Sequence, residues 1–257
     1  MSVLFLFIDG IGVGPGGSGN PFDRVIGPGW DALTGDQAMT EASSWIDEQD
    51  HQFRTLDARL EVEGLPQSGT GQATLFSGEN ASAIINRHFG PFPHSQTRHL
   101  LREQSLFQKV QQLGGDPYFM NGYPDLFFEK MQRRNRWTCT TLMADSSGQQ
   151  LNRLEDVQEG RAITAELTQE AWQEQLDLDV PSIRPQEAAE RVLRMSEEKD
   201  LILMEYYLTD KAGHAQDPDR AKHYLRVLDT FIYHLYKHRS DEDLLVITSD
   251  HGNLEDL

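Results

Sequence analysis

The 257-residue chain has one cysteine, no apolar run close to membrane-spanning length, and far fewer basic residues than acidic ones. The lone Cys139 excludes an intrachain disulfide. Crossing a bilayer takes roughly 20 consecutive apolar residues, and no stretch comes near that. Against 41 Asp and Glu stand 23 Lys and Arg, a formal net charge of −18. That balance disfavours a general affinity for nucleic acid or for an anionic membrane surface. Small molecules and metal cations are the expected partners. The start MSVLFLFIDG lacks the basic opening and longer apolar core of a secretory signal, so a cytoplasmic location is the default expectation.

What is present reads as one α/β domain over residues 1–257, a length able to bury a good-sized core. Residues 3–8 form a continuous apolar run, as in a strand covered on both faces of a parallel sheet, and the run delivers Asp9 at its carboxyl end. Residues 201–207 (LILMEYY) and 244–247 (LLVI) read the same way and lead into Asp210 and Asp250. Helical spacing over 220–238 places a helix between them, giving the βαβ alternation of a mostly parallel sheet flanked by helices on both faces. Further helices are expected over 185–199 and 105–113, with a short strand at 118–120. Residues 121–181 are less regular and suggest a small cap.

Three aspartates at the carboxyl ends of three strands point to a ligand crevice, which in open α/β sheets lies there. Carboxylates brought together repel one another unless cations sit among them, and His214 and His251 are suitable ligands for zinc or manganese. The segment GLPQSGTGQATLFSG offers Ser68 and Thr70 before a helix. A hydroxyl there, beside a metal, can attack phosphorus. Each piece alone has a plainer reading: a helix cap for Ser68 or Thr70, a surface pair for Asp210 and His214. Arg87 and His88, soon after that helix, are candidate substrate contacts, Arg87 as a bidentate clamp on phosphate or carboxylate.

Taken in order, FIDGIG, SGTGQATLFSG, TDKAGH and TSDHGN resemble the metalloenzyme branch of the alkaline phosphatase superfamily, which includes cofactor-independent phosphoglycerate mutase and phosphopentomutase. The resemblance implies an alkaline-phosphatase-like fold and two divalent metal ions, manganese or zinc with magnesium as an alternative. One ion would be held by Asp9, Ser68, Asp250 and His251. The other would be held by Asp210, His214 and a further histidine that the family carries near its carboxyl end. The sequence ends at Leu257 without that histidine, so a missing tail is expected, with His88, His94 or His99 as substitutes. The family pattern selects Ser68 as nucleophile, with Thr70 as fallback, and has a histidine where this chain has Gln72.

The implied chemistry is metal-dependent phosphoryl transfer through a phosphoserine on a small phosphorylated metabolite. A phosphatase or phosphohydrolase is preferred to a phosphomutase, because mutases of the family carry a large insertion over the site. Two alternatives stand beside it: an inactive metal-binding member of the fold, and a dinucleotide-binding protein suggested by the GxGxxG match at residues 14–19. The loop's proline and the absence of a helix pattern after it argue against the second.

Overall fold

The computed structural model describes every residue except Arg24, Val25 and Asn135. In chain order the elements are β1 (Val3–Ile8), α1 (Pro28–Thr34), β2 (Ile46–Asp47), β3 (Gln52–Phe53), α2 (Ser68–Ser77), α3 (Ala81–Ile85), α4 (Arg98–Glu103), α5 (Leu106–Gln112) and β4 (Pro117–Phe119). There follow α6 (Asp125–Arg134), α7 (Cys139–Ser146), α8 (Leu154–Gln158), α9 (Glu170–Leu176), α10 (Pro185–Ser196), β5 (Leu201–Tyr206), α11 (Leu208–Ala215), α12 (Pro218–His238) and β6 (Leu244–Thr248). The expected strands and helices are found with ends differing by up to three residues, except that α2, expected to begin near Gln72, begins at Ser68, so Ser68 and Thr70 lie in its first turn and Gln67 is its cap. No helix among the described residues is long and apolar enough to cross a membrane.

The central sheet has four parallel strands in the order β4-β5-β1-β6. Alternation along β1 separates two cores. Leu4, Leu6 and Ile8 face the cluster built with Val192 of α10 and Leu225, Leu228, Phe231 and Ile232 of α12. Phe7 faces the cluster of Phe76, Leu101, Phe107 and Leu142, drawn from α2, α4, α5 and α7. Helices therefore cover both faces, and the chain is a mixed α/β fold. Burying each of these large side chains contributes about 1.5–3 kcal/mol.

Helix α12 forms because Asp217 caps it, accepting from Arg220 N at 3.0 Å, and Pro218 opens its first turn. Its apolar residues at 221, 225, 228, 232 and 235 then share one face. In β6 the outcome differs from a strand covered on both faces. It lies at the sheet edge, and Leu244 is 54% exposed. Within the irregular stretch 121–181, α7 packs into the sheet core, whereas Val157, Ala162, Trp172 and Val180 form a small cluster of their own.

Candidate metal centre

Register brings the acidic ends together. Phe7 of β1 pairs with Thr248 of β6, so two residues further on Asp9 stands level with Asp250. On the other side Asp9 N donates to Tyr206 O at 2.9 Å, and the Thr209 hydroxyl at the start of α11 donates to Asp9 O at 2.6 Å. Gly10 then turns with φ of 74°, a conformation glycine adopts without strain, and a Cβ there would lie 2.8 Å from Asp210 Cα. Asp210 is thereby held against the end of β1.

Asp9, Asp250 and His251 each offer a donor atom within 4.8 Å of the others, a group that can hold a metal ion. His251 Nε2 lies 3.5 Å from Asp9 Oδ1, 3.7 Å from Asp250 Oδ2 and 3.0 Å from Ser68 Oγ. His251 Nδ1 is 2.9 Å from Gly252 O, an oxygen that can only accept, so Nδ1 carries the ring proton and Nε2 presents its lone pair. Ser249 fixes the turn: its hydroxyl accepts from Ile11 N and donates to His251 O.

The electrostatics favour a cation. Asp9 Oδ1 is buried and accepts no hydrogen bond. Burial, and then the charges of Asp250, Asp210 and Glu205, push the Asp9 carboxyl up to about 10. Burial also raises Asp250, against the opposing pull of His251. Without a cation the cluster must hold a proton; a divalent ion would supply the missing positive charge. An orphaned carboxylate oxygen, a second buried carboxylate and an imidazole nitrogen facing both suit such an ion.

Asp210 and His214 lie one helical turn apart in α11, with His214 Nε2 3.3 Å from Asp210 Oδ2. Asn253 Nδ2 donates to Asp210 Oδ1 at 2.8 Å and ties α11 to the turn after β6. The His214 side chain is 74% exposed. These two residues form an open pair at the edge of the buried cluster.

Other candidates are engaged elsewhere. The Thr70 hydroxyl is fully buried, donating to Gln67 O and accepting from Phe89 N, both at 3.2 Å. His88 uses both ring nitrogens, Nδ1 at 3.3 Å from Ser82 Oγ and Nε2 at 3.1 Å from Val62 O. It straps a loop. Arg87 is exposed with its guanidinium over Phe89. His94 packs edge-on against Phe89 and accepts from Gln96 N, and His99 is exposed. Among the described residues none of these three histidines joins Asp210 and His214 in a group that could hold a metal ion. The glycine loop at 14–19 is met by the chain's last residues, Leu257 N donating to Gly19 O, and the next helix among the described residues starts only at Pro28. That placement overturns the dinucleotide reading, which needs a helix opening directly on the loop.

Two residues were missed. Gln72 Nε2 donates to Asp9 Oδ2 at 3.2 Å and to Asp250 Oδ2 at 3.3 Å, holding the carboxylates side by side. Its position four after Ser68, one turn along the same helix face, was the signal that could have found it. Glu205 lies inside β5, buried, and accepts from the Thr140 hydroxyl at 2.7 Å. Burial pushes its carboxyl up to about 7, against that hydrogen bond. It is the one charged residue in an otherwise apolar strand.

A comparison with curated protein sequences finds no significant match. Among solved structures, the PH0037 protein from Pyrococcus horikoshii is similar at 12% identity and a TM-score of 0.49, over 98% of this chain and 79% of that one. Residues 177–257, which carry Asp210, His214, Asp250 and His251, match the model of the Metalloenzyme superfamily.

Proposed function

We propose that the protein is a metal-dependent phosphoryl-transfer enzyme, a phosphohydrolase in preference to a mutase, that acts on a small phosphorylated metabolite with Ser68 as nucleophile. The observation that carries this reading is the meeting at His251 Nε2, where the Ser68 hydroxyl, at 3.0 Å, joins two buried carboxylates.

Asp9, Asp250 and His251 would hold one divalent ion, and Asp210 with His214 would contribute to a second. Mixed oxygen and nitrogen donors suit manganese or zinc, with magnesium as the alternative. When bound, such ions supply Lewis acidity that lowers the Ser68 hydroxyl pKa and offsets charge on the phosphoryl oxygens. Gln72 keeps the two carboxylates from turning away from each other. Ser68 stands in the first turn of α2, where the helix end favours an incoming anion. Its oxygen attacks phosphorus as the ester bond breaks, the proton it gives up passes by way of water to the leaving alcohol, and water then cleaves the phosphoserine, releasing phosphate and returning a proton to the Ser68 oxygen. Thr70 lacks a free hydroxyl for this role.

Hydrolysis is preferred because the only self-contained unit in 121–181 among the described residues is the small one around Trp172, while His214 stands open to water. The experiment is phosphate release from a panel of phosphorylated metabolites with manganese, zinc or magnesium, comparing wild type with Ser68→Ala. Ser68-dependent release supports the reading. Isomerised product without release would mark a mutase, and bound metal without Ser68-dependent turnover would mark an inactive member of the fold.

A further inference from the structure

Two loops carry the ligands of the buried centre, the one that leaves β1 after Asp9 and the turn that leaves β6 with Asp250 and His251. Pairing between β1 and β6 ends at Phe7 and Thr248, before any ligand, so the spacing of the ligands depends on what joins the two loops beyond the sheet. Ser249 makes one tie, its hydroxyl accepting from Ile11 N at 3.0 Å. Glu255, half-buried, makes another: its Oε2 accepts from Gly12 N at 3.0 Å and from Asn253 N at 2.9 Å, so one carboxylate oxygen spans both loops. Between them Leu254, fully buried, donates from its N to Gly10 O at 3.0 Å and fixes the backbone from which Glu255 reaches. Asp250 and His251 stand in sequence between the Ser249 and Glu255 ties.

Three glycines make room for this carboxylate. A Cβ at Gly12 would lie 2.5 Å from Glu255 Oε1, one at Gly14 would lie 2.8 Å from Glu255 Cγ, and one at Gly252 would overlap Oε1 outright. The glycine-rich stretch after β1, which offers no dinucleotide site, is shaped to receive a side chain from beyond β6. The tie also has a force to resist. Asp9 and Asp250 are 7% and 5% exposed, and His251 Nε2 lies 3.5 Å from one and 3.7 Å from the other. Without a cation two such carboxylates repel, and loops left free would part to relieve it.

We propose that Glu255 is a positioning residue for the metal centre: by bridging Gly12 and Asn253 it holds the Asp9 loop against the Asp250–His251 turn and so presets the site for a divalent cation. It acts through the two backbones and is not itself a ligand. The inference rests on the metal-centre reading above and adds a residue to it.

The test separates reach from charge. Glu255→Gln keeps an acceptor oxygen at the same reach and drops the charge; Glu255→Asp keeps the charge and draws the oxygen back by one methylene. Calorimetric titration of the metal-free protein with manganese reads the affinity of the tight site. Glu255→Gln should stay within about threefold of wild type, while Glu255→Asp and Glu255→Ala weaken binding by about tenfold to a hundredfold, the usual cost of losing a group that orients a metal ligand. Asp256→Asn, exposed and next in the chain, removes a charge without removing the tie and leaves the affinity unchanged. Thermal melts in chelator confirm that the variants are folded; a merely structural role would lower Tm and leave the affinity where it was. The proposal is overturned if Glu255→Asp and Glu255→Ala bind manganese as wild type does, or if Glu255→Gln loses as much as they do, which would make charge the cause. Should wild type bind no manganese, or bind it as tightly after His251→Ala, the metal-centre reading itself fails, and the role of Glu255 with it.

Discussion

Removing divalent cations should make the protein lose stability as pH rises, because the folded state then keeps a proton on Asp9 that the unfolded chain releases. The Asp9 carboxyl moves from an ordinary 3.8 to about 10 on folding. Its raised value means that its contribution is fully present below 3.8 and is lost as pH climbs through about 10. Between pH 6 and 8 the difference is one proton, which amounts to about 3 kcal/mol over the interval. For a chain of this size that corresponds to a fall in Tm of about 5–10 °C. Asp9→Asn cannot release this proton and removes that part of the slope, so the difference between wild type and variant isolates it from the titration of other groups. Melting curves in chelator at half-unit pH steps make the measurement. Added manganese should reverse the trend in wild type, since the cation requires ionised carboxylates and gains as pH rises. Equal slopes for wild type and Asp9→Asn in chelator would refute the reasoning.

Other outcomes follow from the same geometry. Ser68→Ala should abolish phosphate release, by about a thousandfold or more, whereas Thr70→Val should lose about 1 kcal/mol of stability and keep most of its turnover. Gly69→Ala drives a Cβ to 2.2 Å from Phe92 O; a cost of about 3 kcal/mol is expected, seen as a drop in Tm of about 6–12 °C. His251→Ala should remove tight manganese binding in calorimetry, while His88→Ala, which cuts the ties to Ser82 and Val62, should lower Tm and leave the metal stoichiometry unchanged. Asp210→Asn should weaken any second ion without displacing the first.

How much of this was legible follows from the range of the forces involved. Strands β1 and β5 stand out because both faces are covered, and a strand with one face in water would alternate with polar residues instead of running apolar throughout. The run 244–247 looks the same in composition but sits at the sheet edge, since strand order is a tertiary property that no local pattern carries. Asp9, Asp250 and His251 were legible as motifs at strand ends and Ser68 as a hydroxyl at a helix start, and the structure draws the four together. Thr70 and His88 were misleading because their partners, Phe89 N and Val62 O, arrive only when the loops at 60–66 and 86–93 fold back on α2. Gln72 and Glu205 were readable in principle, the first from its spacing to Ser68 and the second as a charge inside an apolar strand.

The central claim is that a divalent cation sits among Asp9, Asp250 and His251 beside the Ser68 oxygen. Anomalous diffraction at the manganese edge from crystals grown with that ion tests it directly. The account predicts a peak at about 2.0–2.2 Å from carboxylate oxygens of Asp9 and Asp250 and from His251 Nε2. An ordered cluster with no peak there, or one occupied by manganese only at other positions, would contradict it.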